Sequence, residues 1–499
     1  MAFITYLLTR VDVLLFFSAF VAIFIYWFNG SKKSTAKMPP GPTPLPIIGN
    51  LHLMDLNKPH QSLMEMSKKY GEVFTLQFGP KKVVVIAGYK AVKEALVTRA
   101  EDFGDRAITP IFSITSNDHG VIFTNGELWK SMRRFTLSTL RDFGMGKKLL
   151  ESKIQDEIIP FIEKIKSFNG KPFDTHITNY AISNVICAII FGERFEYDDP
   201  TFQNLIRMID ENTRLVGTPK VMMFNWFPLI GSLLGLQKKV MQNIQGLQRF
   251  IVKCIKKRRL EYNANDIGGF IDAYLMKQEQ ESTKTETYFS EENLISSVLD
   301  LFGAGTETTS TTIRWGILLM MKYPEIQKKV QDEIKIHIKP GQLPTVEDRK
   351  KMPYTDAVIH EIQRFSNIVP LNVSHSTPTD VYFHGYCIPK GTEIIPLLTS
   401  VLYDKTQWKT PYDFNPNHFL DDNGKFVKHD AFIPFSVGRR ACAGESLAKM
   451  ELFLFFTGLL QAFTFHLPPG VSREDLNLKP AVGFVLAPTP YKTCAKLNY

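Results

Sequence analysis

Hydrophobic and polar positions along this chain follow two different periods, and one stretch shows no alternation at all. From Val13 to Phe28 (VLLFFSAFVAIFIYWF) no residue is charged, and Ala2 to Thr9 is mostly apolar too. With only Arg10 and Asp12 interrupting, about 20 to 25 residues can reach across a bilayer. Residues 1–30 are therefore expected to form a transmembrane anchor. Tyr26 and Trp27 stand where an interfacial aromatic belt would lie, and Lys32, Lys33 and Lys37 follow, which puts the bulk of the chain in the cytosol. A cleaved signal peptide is the competing reading, but the apolar run is long and no A-x-A site follows it. Residues 31–50, with Pro39, Pro40, Pro42, Pro44 and Pro46, predict a semi-rigid hinge. Residues 51–499 form the body.

In the body, Val73 to Gly88 (VFTLQFGPKKVVVIAG) has two β-branched or aromatic runs around Gly79-Pro80-Lys81-Lys82, which predicts a hairpin. Most of the remainder has helical periodicity. The clearest helix opens after Ser290, with Glu291 and Glu292 in its first turn, and closes before Pro324. At about 32 residues, roughly 48 Å, it can traverse the domain. Its middle, Ala304-Gly305-Thr306-Glu307-Thr308-Thr309, is a poor helix former, and a long helix weakened at its centre points to function. Val221 to Leu234 (VMMFNWFPLIGSLL) is uncharged and aromatic-rich but short and broken by Pro228. It is expected to touch a membrane shallowly, with burial in the core as the alternative. The pattern as a whole is mainly α with a small β portion.

Composition narrows the partners. A net charge of +9 fits nucleic acid, anionic lipid or an acidic protein. No RNP-like aromatic motif, zinc-finger spacing or dense basic block is present, so nucleic acid is not expected. The five cysteines (Cys187, Cys254, Cys387, Cys442, Cys494) are far apart, odd in number and without a C-x-x-C pair, which suits a reducing compartment. Asn29-Gly30-Ser31 and Asn372-Val373-Ser374 match the glycosylation pattern, but cytosolic placement leaves both unused.

The candidate chemistry is concentrated at Phe435-Ser436-Val437-Gly438-Arg439-Arg440-Ala441-Cys442-Ala443-Gly444, just ahead of a helical run from Glu445. A helix amino terminus and nearby positive charge favour a thiolate, and Gly438 and Gly444 let backbone approach a flat cofactor. The pattern F-x-x-G-x-R-x-C-x-G resembles the haem-binding loop of the cytochrome P-450 superfamily, with every position matched. Further matches stand at the family's order and spacing, so the resemblance covers essentially the whole chain. Glu361 and Arg364 form its E-x-x-R pair; Pro411, Phe414, Pro416 and Phe419 follow its meander; Trp129 and Arg133 match its W-x-x-x-R helix. The chain departs from the pattern at His418, where many relatives carry arginine, which puts the usual buried Glu-Arg-Arg network in question. His360-Glu361 also begins like a zinc motif, but Arg364 stands where the second histidine would be.

The resemblance implies a cytochrome P-450 fold binding haem b, with Cys442 as axial ligand, Phe435, Gly438 and Gly444 around it, and propionate contacts from Arg106, Trp129, Arg133, His375 and Arg440. It also implies that Glu307 and Thr308 relay protons toward dioxygen while Gly305 keeps bulk away; the plainer reading of Thr308 is a bond to its own helix backbone. The runs Asn125–Trp129, Arg141–Lys147 and Asn184–Tyr197 resemble the microsomal family-two group, which oxidises drugs, steroids and fatty acids at the endoplasmic reticulum membrane. Gly144-Met145-Gly146-Lys147 lacks the third glycine of a nicotinamide fingerprint, so electrons are expected from a separate NADPH-dependent cytochrome reductase, with cytochrome b5 as a second candidate. Lys130, Arg134, Arg439 and Lys449 are candidates for a basic face toward that acidic partner. Candidate contacts to a lipophilic substrate are Ile111, Phe112, Ile114, Ala304, Val369, Val373 and Phe484. Three other classes stay open: a haem-thiolate isomerase or dehydratase, a non-catalytic haem binder, and a membrane scaffold without haem.

Overall fold

The computed structural model describes residues 37–143, 148–283 and 285–498, with Ser18 alone before them. The expected anchor, Lys32 and Lys33, and the segment 144–147 lie outside the described residues. Among those described, no helix is long and apolar enough to cross a membrane.

The long helix forms as its pattern predicts, over Glu291–Lys322, and the Ser290 hydroxyl caps it by accepting from the Asn293 amide. It runs against Ile177–Ile190, a helix buried on nearly every side, whose polar Asn179 and Ser183 bond Glu307 and Thr306 of the long helix. Pro353–Ser366 and Glu445–Ala462 pack on it as well, joining the main hydrophobic cluster through residues such as Trp315, Ile362 and Phe456. A weak-propensity centre is tolerated because tertiary packing on several sides carries the helix.

The β portion is a five-stranded sheet with two smaller ones. Val73–Phe78 and Lys81–Ile86 pair antiparallel from Val73 opposite Ile86 to Phe78 opposite Lys81, across a two-residue turn at Gly79-Pro80. Glu393–Pro396 adds parallel to the second strand, and His375–Ser376 and Asp105–Arg106 complete the sheet. Its far edge sets Arg106 directly opposite His375, so two short strands distant in sequence deliver both side chains to one place.

The near edge explains a difference from the expected hinge. Thr75 donates to the carbonyl of Pro40, and Asn50 is bonded to Gln77 through both its backbone amide and its side chain. The described part of the proline-rich segment, from Lys37 on, therefore covers the outer strand, as an unpaired edge requires. Val221 to Leu234 also divides. Pro219–Trp226 buries Val221 and Phe224, whereas Pro228–Leu233 leaves Leu229 and Leu233 89% and 86% exposed.

Candidate active site

Cys442 ends a loop that closes on itself before the helix Glu445–Ala462 begins. The Cys442 amide donates to Phe435 O at 3.0 Å and the Ala441 amide to Gly438 O at 3.2 Å. Gly438 has φ +80°, and a Cβ there would overlap the carbonyl oxygen of Leu96, presented by a single π turn over Glu94–Thr98. Cys442 is the one cysteine open to solvent; the other four are buried. Neighbouring atoms nevertheless crowd its thiol. Burial pushes it up from its ordinary value, against the pull of the Gly444 amide and the Arg133 guanidinium. Charge near the loop therefore does not by itself make the thiolate; a coordinated metal ion, which deprotonates a thiol outright, would.

Beside the loop lies a cluster of cations. Arg106 donates only to backbone carbonyls, those of Ile122, Val373 and Arg440. Arg133 donates to Ala441 O at 2.5 Å, and Arg440 to Gly104 O and Asn125 Oδ1, both at 2.8 Å, with its guanidinium 3.6 Å from the Trp129 ring centroid. Burial first and mutual repulsion second push Arg106 down to about 9 and Arg440 to about 8; burial also lowers Arg133 and holds His375 well below its ordinary value. None of the three arginines has an ion pair among the described residues, and the buried atoms Arg440 Nη1 and His375 Nε2 have no partner there. Buried charge of this kind requires an anion. The two propionates of haem b supply that chemistry, and Cys442 stands in the adjoining loop, so the residues present fit the group.

A second buried arginine behaves differently. Arg364 makes a bidentate pair with Glu361, both bonds 2.7 Å, and spends its remaining donors on Leu402 O, Pro411 O and Asp413 O. His418 completes this network. Its Nε2 accepts from the Thr410 amide at 3.2 Å, so the proton is on Nδ1, which donates to Glu361 from 3.2 Å. The departure from arginine at this position thus leaves the carboxylate fully partnered.

On the long helix, Ala304 is exposed and Thr308 half-exposed although the helix crosses the core. Thr308 donates to Ala304 O at 2.7 Å, so the plain helix bond exists. Glu307 points elsewhere: it is buried, accepts from Asn179 and Thr311 at 3.1 and 3.0 Å, and is pushed up to about 7 by burial first and Asp210 next. Neighbours on a helix diverge by about 100°, and no hydrogen bond joins these two side chains.

Phe112, Val369, Val373 and Phe484 line one cavity of about 180 Å³. Phe112 stacks on Phe123 at 3.9 Å between centroids and meets Phe484 edge-on at 5.9 Å. The cavity abuts the cation cluster, since Val373 O accepts from Arg106 and Asn372 bonds Ser436 of the cysteine loop. Ile111 is instead packed with Val221, Phe224 and Val240, and Ile114 is 44% exposed. Of the basic residues, Lys130, Arg439 and Lys449 are paired with Glu127, Glu101 and Glu445. Sequence reasoning missed Asn125 as a hub. Its Oδ1 accepts from both the Arg106 amide and the Arg440 guanidinium, and Asn125-Gly126 just before a predicted helix was the available signal.

Comparison with known proteins agrees with this geometry. The cytochrome P450 family model matches residues 39–495. The chain is 51% identical to cytochrome P450 2K4 of Oncorhynchus mykiss over 94% of this chain and 93% of that one. It is 47% identical to cytochrome P450 2J2 of Homo sapiens over 93% and 92%, and 45% identical to cytochrome P450 2C3 of Oryctolagus cuniculus over 92% and 94%. A reachable cysteine on a glycine-bounded loop, buried cations awaiting carboxylates and a family match over nearly the whole length agree: the chain belongs to the cytochrome P450 family and is a haem-thiolate monooxygenase.

Proposed function

We propose that Cys442 would hold the iron of haem b and that Arg106, Trp129, Arg133, His375 and Arg440 would hold its propionates. One observation carries this reading: three guanidiniums, buried or partly so and without an ion pair among the described residues, surround the one cysteine that solvent reaches. Bound there, the haem supplies thiolate-assisted cleavage of the O–O bond of dioxygen. The enzyme inserts one oxygen atom into a lipophilic molecule, with electrons from a separate NADPH-dependent reductase.

The chain's own residues set up that reaction. Thr308 donates its proton to Ala304 O, which leaves the lone pairs of its hydroxyl oxygen able to accept a hydrogen bond. Glu307, titrating near neutrality, is the proton reserve; because its carboxyl faces Asn179, delivery to Thr308 runs through water or a side-chain rotation. Phe112, Val369, Val373 and Phe484 offer an apolar wall to the substrate; Ala304 is exposed on the long helix but is not among the residues lining this cavity.

Residues 1–30 anchor the enzyme to the endoplasmic reticulum membrane. Exposure of Leu229, Ile230, Leu233 and Leu234 supports a second, shallow bilayer contact. Exposed Leu45, Ile47 and Ile48 belong to the same contact, because Gly79 donates to Ile48 O and abuts the Phe227 ring. The reductase, and cytochrome b5 if it serves, docks near Arg134 and the paired cations on the cysteine side.

The test is the carbon monoxide difference spectrum of the reduced, detergent-solubilised protein. A strongly red-shifted Soret band, absent in Cys442→Ala, is expected. A band at the histidine-ligated position from folded, haem-supplied wild type would overturn the assignment.

A further inference from the structure

His60 opens the helix Pro59–Tyr70 and lines the same cavity as Phe112, Val369, Val373 and Phe484. Only 7% of it is exposed, and no hydrogen bond reaches either ring nitrogen among the described residues. Nδ1 is buried with no partner there, and Nε2, equally without a hydrogen bond, is the nitrogen that keeps the ring's residual accessibility. The other polar side chains of this wall are engaged or less buried. Asn225 accepts from the Ile111 amide, Asn372 bonds Ser436 and Val373, and Glu393 is paired with Lys81. A buried imidazole without a partner is disfavoured unless something completes it.

Burial chiefly, with Lys58 adding, lowers His60 to about 4, so the ring is neutral at physiological pH. A neutral imidazole offers one hydrogen bond at Nε2, as acceptor or donor according to tautomer, and gives no charge attraction to a carboxylate. The rest of the wall near it, Met54, Leu63, Phe78 and Trp226, is apolar.

We infer that His60 is a specificity-determining residue: it anchors the uncharged polar end, a hydroxyl, carbonyl or amide, of an elongated substrate whose apolar body runs along the cavity toward Val373. This rests on the reading of the cavity as the substrate site.

The experiment titrates detergent-solubilised full-length holoenzyme with 1-decanol and with decane, reading each dissociation constant from tryptophan fluorescence. The preference for the alcohol over the alkane should fall roughly 3- to 10-fold in His60→Phe, the worth of one neutral hydrogen bond, and recover in His60→Gln. Folding of each variant is confirmed by its carbon monoxide spectrum. An unchanged preference in folded His60→Phe overturns the role of His60. Val369→Phe separates the two readings. It should weaken both probes alike, and if it weakens neither, the cavity is not the substrate site and the parent reading fails first.

Discussion

The chain has two buried arginine sites, one beside the cysteine loop and one around Arg364, and they differ in completeness. Around Arg364 each charge has an answering group within the chain: a bidentate carboxylate, three backbone carbonyls and a histidine on the far side of the carboxylate. Around Arg106, Arg133 and Arg440 the donors find backbone carbonyls and one asparagine, the cations repel one another, and Arg440 Nη1 and His375 Nε2 have no partner among the described residues. The first set needs nothing from outside and acts as structure. The second has no anion paired with its cations among the described residues, which supports the proposed reading of it as a binding site. Burial alone does not separate these roles; the inventory of partners does.

The largest effect should come from breaking the complete set. Glu361→Ala leaves a fully buried guanidinium without its carboxylate, a cost of about 3 to 5 kcal/mol, which is a large part of a typical domain's stability. The yield of folded protein and its thermal midpoint should both drop sharply. A midpoint within about 2 °C of wild type would mean that the pair is not structural. Arg440→Met attacks the incomplete set and should give the opposite pattern. The polypeptide keeps its fold, while haem passes to a competing apo-globin with an equilibrium shifted roughly 10- to 150-fold, as one charge-assisted bond of about 1.5 to 3 kcal/mol requires. Unchanged haem retention in Arg440→Met would remove the distinction drawn between the two sites.

How much of this was legible beforehand follows from where each interaction lies along the chain. The long helix and the hairpin were readable because their period, caps and turn are local. The cysteine loop and the Glu361-Arg364 pair were readable as motifs within ten residues. Adequacy of His418 was not, because it depends on Thr410 donating to Nε2 and so fixing which nitrogen carries the proton. The docking of Pro40 and Asn50 on the outer strand and the place of Asn125 between two arginines arise from contacts between distant segments. Glu307 and Thr308 are adjacent in sequence, yet the helix sends their side chains to different faces, which sequence adjacency alone does not reveal.

Glu307 stands between the two arginine sites in this comparison, since it is buried, its hydrogen-bond partners are neutral donors, and the Arg314 guanidinium attracts it without a hydrogen bond. Its carboxyl is raised from an ordinary 4.5 to about 7, burial being the first cause. Between those values the folded chain holds a proton that the unfolded chain has released. Stability from this group is therefore fully present below about pH 4.5, is lost as pH rises toward 7, and changes little above that; the slope is at most about 1.4 kcal/mol per pH unit. Glu307→Gln keeps a carbonyl oxygen for Asn179 or Thr311 and cannot titrate. Thermal unfolding of the holoenzyme at pH 5.5 and pH 8 should show wild type losing ground to Glu307→Gln at the higher pH, by on the order of 1 kcal/mol. Parallel curves would mean that Glu307 is ionised in the fold across this range, with the buried Arg314 guanidinium of the same helix as its counter-charge, and its part as a proton reserve would fall with that result.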